Sequence, residues 1–243
     1  MWRCLVGAAT AALFSGAALA QGVPVYNWSG FYVGGNAGYG WGDDEIELGY
    51  SGVIAAVCAA VPGSCPDSVP RDTEGFLAGG HIGRNWQSGR FVFGIEGDAA
   101  WSDIGGEATA TAPLGFGSGR FDLDWLSTIR GRAGIAADRV HLYGTGGLAF
   151  GQVDNSATAT VDVGIGAPIL VTVVDREKAV QFGFAAGVGG EFALSDRMVV
   201  GAEALYVNLE DSSLTFDFGA AGAVGAAIEN DYLIARVRGS YKW

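Results

Sequence analysis

Two histidines, His81 and His141, are the side chains of this sequence with the most versatile chemistry. A serine hydrolase needs a serine within reach of a histidine. Both histidines lie on the polar side of an alternating segment, whereas Ser127 lies on the apolar side and only Ser240 shares the polar side with them. A zinc site needs three or four ligands, and neither histidine has partners at ligand spacing. We therefore expect both to be hydrogen-bonded interior groups, and we expect no catalytic residue, metal or cofactor.

Acidic and basic side chains share that polar side in nearly equal numbers. They are Glu96, Asp98, Glu191 and Glu203 on one hand, and Arg130, Arg132, Arg236, Arg238 and Lys242 on the other. An unpaired buried charge is costly, so these groups should pair if the interior is enclosed. We predict an ion-pair network that plugs the interior, formed by Glu96, Asp98, Arg130, Arg132, Glu203, Arg236 and Arg238. The alternative is a narrow charged pore, because the glycines on the same side leave room for water.

Eight segments must position these side chains, and each shows the two-residue alternation of a β-strand. In the fourth, the polar side carries Asp122, Asp124, Thr128, Arg130 and Arg132, and the apolar side carries Leu123, Trp125, Ile129, Ala133 and Ile135. The seventh is ambiguous, because Val199 and Leu205 share a side with Glu203. Each segment has about ten residues or more, which is enough for a tilted strand to cross a bilayer.

Short and long connections alternate between the segments. Residues 87–90, 136–139 and 195–197 form tight polar turns, and long connections lie at about 42–73, 103–120, 154–178 and 210–230. This asymmetry is typical of bacterial outer-membrane barrels. We predict an all-β fold, namely an eight-stranded antiparallel up-and-down transmembrane β-barrel with short periplasmic turns and four long extracellular loops.

A soluble up-and-down barrel such as a lipocalin also alternates, with its apolar side turned inward. Here glycines and few charges on the polar side suit a cramped interior better than a solvated exterior. The last strand ends the chain, and we expect Tyr241 and Trp243 to form a C-terminal signal for the barrel-assembly machinery. These features favour the outer membrane of a Gram-negative bacterium. Aromatic residues near the segment ends should form an interfacial girdle, and they include Phe31, Trp41, Trp86, Phe91, Trp101 and Trp125.

The first twenty residues have the pattern of a secretory signal peptide. Arg3 precedes an apolar stretch at 5–14, and Ala18-Leu19-Ala20 is a small-residue cleavage site. We predict a signal peptide at 1–20, cleavage between Ala20 and Gln21, and one barrel domain at 21–243.

The composition constrains the compartment and the partners. Export delivers Cys58 and Cys65 to an oxidising compartment, where we predict a local disulfide, the alternative being two unpaired thiols in a loop. The formal net charge of −12 argues against a nucleic-acid partner.

Several strand motifs resemble a known family. WSGFYVGGNAGYGWG at 28–42 resembles the opening strand of the opacity-like, porin-like outer-membrane β-barrel family. GGHIGRNWQSGRFVFGIEGDAAWS at 79–102 is similar to its second hairpin, and LYGTGGLAFG at 142–151 to its fifth strand. The resemblance implies eight antiparallel strands in the outer membrane and a surface antigen, often immunogenic, to which the word porin is commonly attached. Arg84 stands where the family usually has a lipid-facing aromatic, and we expect it to reach the interface.

These features predict a structural or surface-interaction role in the cell envelope. Passive diffusion of small solutes through a narrow porin is the alternative, and a barrel enzyme acting on lipid is the weakest hypothesis. We expect contact with outer-membrane lipid and with lipopolysaccharide, to which loop carboxylates would be bridged by divalent cations. The apolar loop stretches at 53–63 and 218–228 either bind a surface ligand or host partner or pack over the barrel mouth.

Overall fold

The computed structural model describes residues 26–112, 115–162 and 170–243. The predicted signal peptide and the cleavage site at Ala20 and Gln21 lie outside these residues. No helix in the described part of the chain is long and apolar enough to cross a membrane. The elements are β1 (Gly30–Tyr50), α1 (Gly52–Ala60), β2 (Ser68–Ser88), β3 (Phe91–Ala112), β4 (Gly115–Ala137), β5 (Val140–Asp162), β6 (Leu170–Ala193), β7 (Met198–Asp217), a 3-10 turn (Gly219–Ala221) and β8 (Ala223–Lys242).

The strands follow one another around a closed barrel in sequence order, and each pairs antiparallel with its neighbours. Pairing of β1 with β8, from Tyr32↔Lys242 to Tyr50↔Val224, closes the ring. The predicted eight-stranded up-and-down barrel is therefore confirmed. The tight turns lie together at one end of the barrel. The turn between β2 and β3 contains Gly89 at a φ of 60°, a left-handed conformation that glycine adopts without strain.

The strands continue well beyond the length needed to cross a bilayer. They run for 20 to 24 residues, whereas about 9–11 residues suffice to cross a bilayer. Most of the long connections predicted at 103–120 and 154–178 are paired strand, because their alternating threonines and alanines continue the hairpins far beyond the membrane. The connection at 42–73 likewise continues β1 up to α1 and contains the beginning of β2 after it.

These extensions form two facing sheets. Strands β7, β8, β1 and β2 stay paired up to Asp217↔Ala223 and Glu47↔Ser68. Strands β3 to β6 form the other sheet, up to Ala112↔Gly115. Among the described residues, backbone pairing between the two sheets ends at Glu74↔Gly105 on one side. On the other side it ends at Gly183↔Leu209. The barrel therefore opens above the membrane into a two-sheet sandwich.

Inward and outward side chains alternate mostly as predicted, with one correction in β4. Leu123 was expected on the outer side with Trp125, yet it is 1% exposed and faces the interior. An irregularity between Leu123 and Trp125 adds one residue, which reverses the alternation at that point. The ambiguous seventh segment is resolved, because Val199 and Leu205 both point inward.

Candidate functional site in the barrel interior

The interior consists of layers, and β8 passes through most of them in order. Arg238 and Arg236 lie near the periplasmic end and are followed by the buried side chains of Ile234 and Tyr232. Asn230 comes next, and the remaining inward positions, up to Val224, are apolar. A charged layer, an apolar layer, a thin polar layer and a second apolar layer therefore follow one another from the turns towards the extracellular end.

Arg130 is the centre of the charged layer. Its Nη2 donates to Glu96 Oε1 and to Asp98 Oδ2, both at 2.9 Å, and its Nη1 donates to Glu203 Oε1 at 3.1 Å. Its Nε donates to the Thr128 hydroxyl at 2.8 Å. One guanidinium thus connects carboxylates from two strands on opposite sides of the ring.

Three further arginines complete the layer. Arg132 lies 2.7 Å from Glu191, Arg236 lies 2.7 Å from Glu203, and Arg238 pairs with Glu96. Four arginines therefore meet four carboxylates, and every one of these side chains is at most 4% exposed. The structure brings together all seven residues of the predicted network and adds Glu191.

Lys242, which was counted among the interior charges, does not reach the network. It is half-buried at the periplasmic rim, with its ammonium 4.4 Å from the centre of the Tyr26 ring, and it donates to the Asn27 carbonyl. Lys242 is the last residue of β8, four residues after Arg238, so its side chain lies too close to the periplasmic end to reach the carboxylates.

Two tyrosines that the sequence reasoning missed belong to the network. Tyr32 donates to Glu96 at 2.8 Å, and Tyr143 donates to Glu203 at 3.1 Å. A side chain at Gly83 would collide with the Tyr32 hydroxyl, and one at Gly189 with the Tyr143 ring. Gly83 and Gly189 therefore make room for two aromatic rings on the polar side. A tyrosine on the glycine-rich side of a strand was the available signal.

The histidines lie within the same layer. His141 Nδ1 is 3.1 Å from Glu191 Oε2, and its ring is 5.0 Å from that of Trp28. His81 Nε2 is 2.8 Å from the Ser240 hydroxyl, so a serine does stand beside a histidine. The group on the other side of His81 is the Asn36 amide at 3.5 Å, not a carboxylate that would hold an imidazolium.

The other candidate groups of the sequence analysis do not form a reactive site. Ser127, which is half-buried, donates to the Asp98 carbonyl at 2.7 Å. In the described ranges, no cluster of three or more His, Cys, Asp or Glu residues is arranged to hold a metal ion.

A short segment ahead of β1 closes the periplasmic end. Trp28 is 1% exposed, and its indole Nε1 donates to the Asp138 carbonyl at 3.0 Å. Its backbone N–H donates to Gln87 Oε1 at 2.7 Å. Burial raises the pKa of the neighbouring Tyr26 to about 12. The sequence pattern gave no sign of this segment, because it precedes the alternation.

The predicted girdle residues divide into two rims. Phe31, Trp86 and Phe91 lie exposed at the turn end, and Trp41 and Trp101 lie exposed at the far end of the same outer face. Trp125 is only half-buried beside the bulge, and its Nε1 donates to Gln152 Oε1 at 2.9 Å.

Arg84 and the chain end complete the lower rim. The Arg84 guanidinium lies 4.7 Å from the centre of the Phe31 ring and 5.1 Å from that of Trp86. Trp243 stacks on Phe31 at 6.4 Å, and the Tyr241 hydroxyl accepts from Arg197 at 3.1 Å. The first of these two contacts attaches the chain end to β1, and the second attaches β8 to the turn between β6 and β7.

The cysteines lie at the opposite end of the molecule. Cys58 in α1 and Cys65 in the following turn are joined by a disulfide, with their Cα atoms 5.5 Å apart. The bond closes a short loop beside the mouth of the barrel.

Comparison with known proteins places this architecture in a family. A family model described as an outer membrane protein beta-barrel domain matches residues 6–230. The chain belongs to this family. It is 31% identical to the 31 kDa outer-membrane immunogenic protein of Brucella melitensis over 227 residues, which cover 87% of this chain and 89% of the relative. It is 27% identical to the 22 kDa outer membrane protein of Rhizobium leguminosarum, covering 81% and 71% of the two chains.

A solved structure agrees on the fold alone. The outer membrane protein OprG from Pseudomonas aeruginosa matches with a TM-score of 0.52 and 9% identity, covering 88% of this chain and 96% of that one. The protein is therefore an outer-membrane β-barrel of a Gram-negative bacterium, as the sequence predicted, and its Brucella relative is named an outer-membrane immunogenic protein.

Proposed function

We propose that this outer-membrane protein is a closed barrel with a structural or surface-interaction role. The charged layer supports this proposal most directly. In it, four arginines and four carboxylates neutralise one another with almost no exposure to solvent. An eight-stranded barrel is just wide enough for its own side chains to fill it. The ion-pair network is accordingly a plug.

Two apolar barriers support the same role. On the extracellular side of the plug, Leu205, Val207 and Ile234 are fully buried in a packed apolar layer. On the periplasmic side, Trp28 and Val92 belong to a second cluster. A hydrated ion would have to cross both layers, where mostly apolar side chains would replace little of its hydration.

A non-catalytic role fits the histidines as well. His81 is 3% exposed, so a lipid or peptide would have to displace packed side chains to reach it. Ser240 lies at one nitrogen of His81, and the group at the other nitrogen is the Asn36 amide, where a serine hydrolase would have a carboxylate. The pair is better explained as mutual hydrogen-bond satisfaction of two interior groups.

The partners follow from the outer surface. The exposed aromatic rims would contact outer-membrane lipid and lipopolysaccharide, and Tyr241 with Trp243 would present the last strand to the barrel-assembly machinery. The sheet extensions would carry any surface ligand or host partner. The Brucella relative is named for its immunogenicity, and we propose that this chain is a surface antigen too.

Single-channel conductance of the refolded mature protein in a planar bilayer tests the plug. We expect no reproducible current steps, with folding established separately by circular dichroism. Arg130→Ala should produce a leak, because it leaves Glu96, Asp98 and Glu203 without their shared cation, and buried unpaired carboxylates draw in water and cations and disturb the packing of the adjacent apolar layers. Arg176→Ala, at an exposed pair with Asp154, is the matched control and should stay silent. Stable steps from the unmodified protein would overturn the plug in favour of a diffusion porin.

A further inference from the structure

The two facing sheets of the extension form a partly open apolar cavity of about 650 Å³. Inward side chains of both sheets line it, among them Ile46, Val69, Ala108, Phe121, Leu214 and Ile228. Most of these side chains are less than 9% exposed and form one apolar cluster. The cavity thus lies above the plug and is separate from the charged layer.

The cavity lies outside the membrane. On β1 the outer aromatic rim ends at Trp41, and the first cavity residue, Ile46, is five residues further on. Hairpins in water need no apolar inner face unless that face is buried against something. The two sheets bury theirs against each other in one cluster and leave an unfilled space between them.

The α1 helix and the 3-10 turn cover part of the cavity on its extracellular side. The α1 helix turns Ile54 inward, and Phe218 contributes from beside the 3-10 turn. The backbone N–H of Ser51 donates to the Ala223 carbonyl at 2.9 Å. The Cys58–Cys65 disulfide closes the loop that carries α1. Ile54 and Phe218, from the apolar stretches at 53–63 and 218–228, thus pack over the cavity, whereas Val53 and Val61 of the first stretch are exposed.

A buried polar group lies behind the cavity wall. Asn155 is 0% exposed, and neither atom of its carboxamide has a hydrogen-bond partner among the described residues. Its cross-strand partner Phe121 and its near neighbour Ala157 both line the cavity, whereas Asn155 itself does not. The surface that the cavity offers to a ligand is therefore largely apolar.

We propose that this cavity binds an aliphatic chain with at most one polar terminus. Protein interiors are normally close-packed, with few voids larger than a water molecule. Apolar cavities stay dry and take up hydrocarbons, and small-molecule sites commonly have volumes of about 300–1,000 Å³. The inference goes beyond the proposed function, since it does not depend on whether the charged layer conducts.

Methyl NMR of the refolded mature protein tests the site. The protein would carry 13C-labelled isoleucine, leucine and valine methyls in nanodiscs of deuterated lipid, and dodecan-1-ol would be the probe. We expect saturable shifts and cross-peaks from the dodecanol chain at Ile46, Leu214 and Ile228. Lipid-facing Ile82 and Ile129 should respond only in proportion to dodecanol dissolved in the bilayer. Lining methyls that stay unchanged up to the solubility limit would overturn the proposal.

Two variants make the test specific. Ala226→Trp fills the cavity from one sheet and should weaken dodecanol binding at least tenfold, while Ala133→Trp on the lipid-facing side should not. Ala108→Phe fills the cavity from the other sheet and serves if Ala226→Trp fails to fold. Unchanged affinity in a folded cavity-filling variant would refute the site.

A second NMR experiment identifies the source of the bound aliphatic chain. In nanodiscs with protonated lipid chains and no dodecanol, cross-peaks from lipid chains to Ile46 would assign the occupant to a membrane lipid. Cross-peaks from dodecanol alone would assign it to a free amphiphile. Cross-peaks from neither would reject the proposal, whatever the bilayer conductance turns out to be.

Discussion

At the scale of single residues, Arg130 carries the largest share of the charged layer, because it alone donates to Glu96, Asp98 and Glu203. The layer is neutral only as a whole. Removing one cation leaves buried carboxylates without compensation, and breaking a buried pair from one side typically costs about 3–5 kcal/mol. The layer itself need not stabilise the fold relative to an apolar one, but its single members are hard to remove.

Arg130→Met should therefore lower the free energy of unfolding by about 3–5 kcal/mol. Equilibrium unfolding in urea, with the protein inserted in lipid vesicles, measures the change. Arg176→Met is the matched control, since the Arg176–Asp154 pair is exposed and solvent screens it. Equal effects of the two substitutions would contradict a connected interior network.

The sequence predicted which side chains enter this layer, but not how they pair. On a strand, successive side chains point to opposite faces, so alternation alone could assign the arginines and carboxylates to the interior. Pairing depends on the stagger between strands. That stagger places Arg238 beside Glu96, which comes from a strand on the far side of the ring. Tyr32 and Tyr143 were missed because hydrophobic patterning does not indicate which glycine faces an aromatic ring.

At the scale of elements, the segment ahead of β1 closes the periplasmic end of the barrel. Trp28 packs against Tyr26 with ring centres 4.9 Å apart and hydrogen-bonds to two different turns through Gln87 and Asp138. Such an element could not be predicted, because one tryptophan in an irregular segment has no periodicity. The extra residue beside Leu123 escaped prediction for a related reason, since an inserted residue changes parity without changing composition.

Trp28→Ala should lower the free energy of unfolding by about 3–5 kcal/mol, as large-to-small substitutions of buried aromatics do. Trp28→Phe should have a smaller effect, because it keeps the ring packing on Tyr26 and His141 and loses only the donation to Asp138. Urea unfolding in vesicles again gives the values. If the alanine variant were as stable as the parent, the segment would not be docked in the membrane-inserted protein.

At the scale of the whole molecule, membrane-embedded and water-exposed parts share the same strands. On β1 the apolar outer belt runs from Phe31 to Trp41. Eleven residues tilted as in other barrels span about 25 Å, which is the height of an apolar belt. The rest of β1 up to Tyr50 extends beyond the bilayer. Alternation predicted both parts as potential strand, but it could not mark where lipid ends, because small residues such as alanine and threonine suit either environment.

A pair of arginine substitutions locates that boundary. Ile129, 61% exposed, lies near the middle of the belt on β4, and Val174, 68% exposed, lies on β6 well beyond Phe182. Arginine on the lipid face at the bilayer midplane costs about 2–4 kcal/mol, so Ile129→Arg should destabilise the inserted protein by that amount. Val174→Arg should leave the unfolding free energy nearly unchanged, because its side chain points into water. A similar loss at both positions would mean that lipid also covers the extensions, and the cavity would then open within the membrane.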